Sequence, residues 1–330
     1  MPLKALYYLE KIASAKVLCL GDLMLDRYIY GQASRLSPEA PVPIVTVRRK
    51  TLMPGGLGNV VMNLCSLGAK PMAVGVVGAD ECAPILSNLL SGAMGSGSLA
   101  MIEEPIRPTT VKTRVIAGIQ QVVRFDEESD NPLSVAVENR YRKHTLSLLP
   151  SCGAVTASDY GKGVLTPSFL AWLMGQATGR DIAVVIDPKG SDYSRYRGAT
   201  LVTPNRQELA LAASEDLNGA SEGKLIEVGR NLMVRNGLNN LLITRSEDGM
   251  TLLTSEGHDL HFPAKAREVF DVSGAGDTVV AAVAACLAAG LGLAAGAEIA
   301  TLAAAVVVGK VGTATASPEE IKASLIAPIK

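Results

Sequence analysis

Apolar residues recur along this chain with two periods, and the places where the period changes mark its elements. From Lys4 to Ala15 they fall at helical spacing, at Leu6, Leu9 and Ile12, and the run Lys16-Val-Leu-Cys-Leu-Gly-Asp22 then predicts a short buried strand. Between Arg27 and Met53 the pattern turns β-rich and proline-rich, through Tyr28-Ile-Tyr30, Ser37-Pro-Glu-Ala-Pro-Val-Pro43 and Ile44-Val-Thr-Val47. A second β-rich stretch, Thr109 to Ile116 followed by Gln120 to Phe125, is expected to pair with the first as a small separate sheet. One face of such a sheet carries no helices and needs a cover, which a bound ligand or a partner subunit can supply. In the first case the segments at about 27–53 and 107–126 form a lid. Between them, Pro54-Gly-Gly-Leu-Gly-Asn59 opens an apolar helix, and a strand over 71–77, a helix over 82–90 and a Gly/Ser-rich loop over 91–98 follow. Asn59 suits a helix cap, and the glycines before it suit the close approach of a ligand.

Beyond residue 150 the two periods alternate, with strands expected over 154–157, 182–186 and 240–244 and helices over 167–177, 208–213 and 223–236. That alternation predicts an α/β fold with a mostly parallel sheet and helices on both faces. Parallel strands bring their carboxyl ends to one rim, where ligands bind. Ser158-Asp-Tyr-Gly-Lys162, Asp187-Pro-Lys189, Thr203-Pro-Asn205-Arg-Gln-Glu208 and Thr244-Arg-Ser246 should therefore face one cleft, with Asp22 and Asp26 as candidate ligand acids. Asn205 and Glu208, three apart, share a helix face. They suit a hydrated magnesium ion or a phosphate, and equally a capping box.

The sharpest chemical signal is Asp271-Val-Ser-Gly-Ala-Gly-Asp277, directly ahead of an apolar run from Thr278 to Ala289. A helix starting near Gly274 aims its free N–H groups, with about half a positive charge between them, at whatever lies before the loop, which favours phosphate. An acid at a helix start ordinarily just stabilises the first turn. That role needs no Gly-Ala-Gly approach, whereas a base that takes a hydroxyl proton while amides hold an incoming phosphoryl group does.

Composition narrows the alternatives. The 330 residues are 48% apolar with a formal net charge of -1 and 4% aromatics, and no basic run exceeds Arg48-Arg49-Lys50, so a nucleic-acid partner is not expected. Five cysteines, odd in number and without C-x-x-C spacing, read as reduced, buried and cytosolic. Thr278 to Ala297 runs 20 residues without a charge, the length of a membrane span. Its Ala/Gly content and the break at Gly290-Leu-Gly292 predict two packed core helices instead. Glu10 and Lys11 interrupt any signal-peptide core, so a cytoplasmic protein is expected. There is no G-x-x-x-x-G-K-[ST], the G-x-G-x-x-A strings at Gly95 and Gly290 lack a dinucleotide-site context, and His144, His258 and His261 form no zinc set.

Gly55-Gly-Leu-Gly-Asn59 and Asp271-Val-Ser-Gly-Ala-Gly-Asp277 are similar to the two motifs of the ribokinase-like (PfkB) sugar kinases. Further stretches, Gly21-Asp-Leu-Met-Leu-Asp26, Ser34 to Pro43, Ser158 to Gly163, Ile186 to Gly190, Tyr196 to Thr200 and Thr203-Pro-Asn205, resemble the heptose-phosphate kinases within that family, over about residues 16–318. The resemblance implies one ribokinase-like domain over 1–330 that moves the ATP γ-phosphoryl group to the anomeric hydroxyl of a heptose 7-phosphate. It implies Asp277 as base, with the amides of Gly274, Ala275 and Gly276 as anion hole, and Asp22, Gly55, Gly56 and Asn59 on sugar hydroxyls. Asp26 and Asp187 are expected beside the substrate. Asn205 would serve phosphate and Glu208 magnesium through water, while Thr244, Ser246, Val307 and Gly309 would lie near ATP. Arg35, Arg114, Lys162 and Lys189 are candidates for the distal phosphate, since only cations suit it. The implied cofactors are ATP and Mg2+, with a monovalent cation left open, and the lid is implied as a homodimer surface. No H-x-G-H motif follows Lys310, so the kinase step alone is expected, and Leu57 and Val61 are larger than the residues expected after the glycine pair.

Overall fold

A computed structural model describes residues 2–95, 98–266 and 269–326. The main sheet runs, in spatial order, β13 (Asp259–Phe262), β12 (Met250–Leu253), β11 (Leu241–Thr244), β10 (Leu201–Val202), β9 (Ala183–Asp187), β8 (Ala154–Ser158), β1 (Lys16–Gly21), β4 (Lys70–Val77) and β5 (Leu99–Glu103). All neighbours from β11 to β5 are parallel, and β12 and β13 add an antiparallel edge. In β1, Val17 and Cys19 join the core on one face while Leu18 and Leu20 join the core on the other. A strand that is apolar on both sides must be covered on both sides. Helices α1 (Pro2–Ile12), α2 (Leu57–Ser66), α3 (Cys82–Met94), α8 (Ala275–Ala288) and α9 (Leu293–Val307) cover the first face. Helices α4 (Val135–Leu148), α5 (Pro167–Thr178) and α7 (Glu222–Asn236) cover the second, with α6 (Arg206–Ala213) beside α7, and α10 (Pro318–Ile326) packs on α9.

The small sheet has the order β3 (Pro43–Gly56), β2 (Leu23–Leu36), β6 (Thr110–Ala117), β7 (Gln120–Glu127), which joins the two β-rich stretches as their pattern predicts. One residue separates the sheets. Gly21 still pairs with Ser158 in the main sheet and Leu23 already pairs with Gly56 in the small one, which leaves Asp22 at the turn between them. The broken ladder there is completed by Tyr141 of α4, whose hydroxyl accepts from the Gly21 N–H at 2.8 Å and donates to the Val74 carbonyl at 3.1 Å.

The apolar run after Asp277 forms α8 and α9 as two packed helices. Among the described residues no helix is long and apolar enough to cross a membrane. Helix α3 continues to Met94 through the first part of the expected Gly/Ser loop, because Ser91, Ala93 and Met94 tolerate helix and Gly95 (φ 59) ends it; residues 96–97 of that loop lie outside the described residues. Strands β5, β12 and β13 and helix α4 carry no clear pattern in the sequence. In α4 only Val137, Tyr141 and Thr145 of 14 residues are buried, too few for an apolar stripe.

Candidate active site

Where the carboxyl ends of β8 to β11 meet the start of α8, a cleft of about 180 Å³ opens. It is lined by Asp159, Tyr160, Asp187, Pro188, Lys189, Thr203, Asn205, Glu208, Thr244, Gly274, Gly276 and Asp277. The four strand-end clusters and the glycine loop thus share one rim, as parallel pairing requires.

Asp277 sits in the first turn of α8 and is 4% exposed. Its Oδ2 accepts from Asn59 Nδ2 and its Oδ1 from the Tyr160 hydroxyl, each at 2.7 Å. Burial raises the carboxyl pKa to about 6, against the opposing pull of these two donors. Asn59 is therefore no cap. Helix α2 already begins at Leu57 with Gly56 as its N-cap, and the buried Asn59 side chain reaches across to α8. Leu57 and Val61, one on each side of it, are fully buried in the core.

The two glycines of the loop have different reasons. Gly274 has φ 78, and a Cβ on it would collide with the Asn59 amide, so glycine there lets Asn59 reach Asp277. A Cβ on Gly276 would meet no protein atom within 4 Å; glycine there leaves room in the cleft. The three amides expected to bind an anion differ in their partners within the chain. Ala275 N–H donates to the Val272 carbonyl at 3.2 Å, whereas those of Gly274 and Gly276 donate to no other described residue. The loop is braced by Asp271, whose side chain accepts from Ser273 N–H and Gly312 N–H at 2.9 Å each.

Asp22 lies behind the cleft, 1% exposed. Its Oδ2 accepts from the main-chain N–H of Tyr160 at 2.8 Å and of Lys162 at 3.2 Å, while Oδ1 is buried without a partner. Burial raises its pKa to about 6, opposed by those amides and by Arg107, with Asp159 adding to the rise. Gly55 and Gly56 close β3 beside it, and Leu57 N–H donates to the Asp22 carbonyl at 3.0 Å.

The proposed phosphate cations fare unequally. Arg114 is paired with the buried Asp26 at 2.5 Å and lies over the Tyr28 ring at 5.3 Å. Lys162 is paired with Glu128 at 2.6 Å, and Arg35 is on the exposed outer part of β2, away from the cleft lining. Lys189 alone of the four lines the cleft, with Nζ 3.6 Å from Glu208 Oε1.

Asn205 and Glu208 form the capping box that their spacing allowed, at the rim of the cleft. Asn205 Oδ1 accepts from Glu208 N–H at 2.9 Å and its own N–H donates to Glu208 Oε2 at 3.0 Å, a capping box at the start of α6, and both residues line the cleft. Opposite them Asp187 has its pKa pushed well above the carboxylate range by burial and by the nearby Asp277 and Glu208. Two carboxylates facing the same space favour a cation between them. Among the described residues no three His, Cys, Asp or Glu side chains form a closed metal cage. Thr244 bridges to Asn205 at the rim, but Ser246, in the turn beyond, is exposed and outside the lining. Val307 and Gly309 are outside it too. Between them, the Val308 carbonyl accepts from Phe270 and Asp271 N–H groups at 2.8 and 3.2 Å and anchors the glycine loop from behind.

Tyr160 and Asp159, named from the sequence only as members of a cluster, line the cleft, and Arg107, not named at all, supports it from behind. Tyr160 and Asp159 lie inside the Ser158 to Lys162 cluster, but nothing local says that a tyrosine will reach a carboxylate 117 positions away. Arg107 ties the same loop down through the Ser129 and Lys162 carbonyls.

A parallel α/β sheet with a buried carboxylate at a glycine-lined helix start is the arrangement that phosphoryl transfer requires. Comparison with known proteins gives the family: residues 14–320 match the model of the pfkB family of carbohydrate kinases, and the chain belongs to that family. The bifunctional protein HldE of Paramagnetospirillum magneticum is 46% identical over 316 residues, 96% of this chain and 64% of that protein. HldE of Geobacter sulfurreducens is 47% identical over 308 residues, 93% of this chain and 62% of that one. The chain thus spans less than two thirds of these relatives. Among solved structures, phosphofructokinase-2 from Escherichia coli in complex with substrates and products superposes with a TM-score of 0.77 at 18% identity, covering 94% of this chain and 97% of that one. Arabidopsis thaliana ribokinase complexed with ribose and ATP gives 0.72 at 16%, over 95% and 99%.

Proposed function

We propose that this sugar kinase transfers the γ-phosphoryl group of ATP to the anomeric hydroxyl of D-glycero-β-D-manno-heptose 7-phosphate, giving the 1,7-bisphosphate used in ADP-heptose and lipopolysaccharide-core synthesis in the cytoplasm. The observation that carries the chemistry is the Asp277 carboxylate at the mouth of α8, ionised above about pH 6 and beside the amides of Gly274 and Gly276, which donate to no other described residue. The substrate rests on the motif resemblance from Gly21 to Asn205. Asp277 takes the hydroxyl proton, and the two amides at the helix start steady the phosphoryl oxygens. Asp22, with its unpartnered Oδ1, and Asn59 orient the sugar; Lys189 is the cation best placed for an anionic group of either substrate. Asp187 and Glu208 suit hydrated Mg2+, which would neutralise charge on the nucleotide phosphates. The small sheet acts as the lid of a single kinase domain, excluding water, and its outer face joins two copies of the chain.

A coupled ADP-release assay with Mg-ATP across a panel of acceptors tests the substrate. Heptose 7-phosphate is expected to give the highest kcat/KM. A preference for unphosphorylated sugars or nucleosides would contradict the assignment.

A further inference from the structure

Asp277 is held by two donors of unlike character. Asn63 Nδ2 donates to the Asn59 main-chain carbonyl at 2.9 Å and to Asn59 Oδ1 at 3.3 Å, which fixes the Asn59 amide with its NH2 toward Asp277 Oδ2. That NH2 can only donate. The Tyr160 hydroxyl on Oδ1 can donate or accept. Its main chain is anchored independently of Asp277, because the same residue's N–H donates to Asp22 Oδ2.

We propose that Tyr160 is the positioning residue of the phosphoryl-transfer step: its hydroxyl holds Asp277 Oδ1 in place and reverses its hydrogen bond when that oxygen takes the substrate proton. The proposal rests on Asp277 being the base. The sugar O–H bond breaks, its proton passes to Asp277 Oδ1, and the freed oxygen pair forms the bond to the γ-phosphorus. The bond from that phosphorus to the bridging oxygen breaks, and its electron pair leaves with ADP. The new acid O–H then donates to the Tyr160 oxygen, whose own hydrogen turns into the cleft that Tyr160 lines, toward water or substrate, while Oδ2 keeps accepting from Asn59. With Asn59 alone present, the neutral acid would have no acceptor at this point of a buried site. Asp277 regains its ionised form by losing the proton to solvent as products leave.

The other charged groups around Asp277 are Asp26 on β2 and Asp187 at the end of β9, with Glu208 and Lys189 across the cleft. All are retained in a Tyr160→Phe variant, so only the hydroxyl is removed. A donor to the ionised form lowers a carboxyl pKa, and a charge-assisted bond outweighs the neutral one that replaces it.

The test uses the full chain with Mg-ATP and the best acceptor of the panel above. Tyr160→Phe should lower kcat about tenfold and move the acidic limb of kcat/KM up by roughly half to one pH unit, with KM for ATP unchanged. In an Asp277→Asn background the same change should cost less than about twofold, since the two groups act as a unit. Should Tyr160→Phe fail to fold, 3-fluorotyrosine at 160 keeps the ring and strengthens the donor, and the limb should move to lower pH. An unmoved limb in either variant, or an undiminished effect in the Asp277→Asn background, overturns the role of Tyr160. Full activity in Asp277→Asn alone overturns the base assignment beneath it.

Discussion

Asp277 carries its charge at a cost to the fold. Its pKa is about 6 in the folded chain against 3.8 for an ordinary aspartate, so the folded state disfavours the ionised form. Stability is therefore fully present below about pH 4 and is lost as the pH rises toward 6, by roughly 3 kcal/mol for this one group. Asp277→Asn removes the charge while an amide can still meet both neighbours. It should raise the unfolding temperature by several degrees at pH 8, and the gain should vanish near pH 4. Calorimetry at the two pH values checks this; a lower unfolding temperature at pH 8 contradicts the burial cost. The identity of this residue was legible, since its glycines, its helix and its acid are adjacent in sequence. Its two clamps were not, because Asn59 and Tyr160 are 218 and 117 positions away.

Elements were legible wherever one period ran long enough. The apolar β1, the alternation after residue 150 and the pair α8 and α9 all followed from it, and so did the union of the two β-rich stretches. What the period leaves out is the opposing surface: it marked Asp22 and Arg114 as polar but not that two amides and Asp26 already meet them. In the small sheet, register sets the faces, because directly paired residues point the same way. Ile29, Val115 and Val123 form one row and Arg27, Thr113 and Phe125 the next, all on a single face, whereas Asp26, Arg114 and Arg124 stand on the other. Val123 and Phe125 are each 47% exposed, an apolar stripe on β7 that a second copy of the sheet could bury. The chain is expected to sediment as a dimer, and Val123→Asp with Phe125→Asp to convert it to a folded monomer. A wild-type monomer at tens of micromolar would contradict the dimer through the lid.

At the scale of the whole molecule, the cleft lies at the rim of the main sheet, and Asp22 and Tyr160 link it to the small sheet. Asp22 ends one sheet and begins the other, and Tyr160 touches Asp22 through its main chain and Asp277 through its side chain. These contacts join side chains from segments that no sequence pattern links, which is why the site's inventory was more legible than its wiring. The proposed base at the helix start remains the point on which the rest depends. The most direct measurement is the rate of ADP formation by Asp277→Asn relative to wild type, at saturating Mg-ATP and acceptor. A fall of roughly a hundredfold or more, with the fold intact, is predicted; turnover equal to wild type would contradict it.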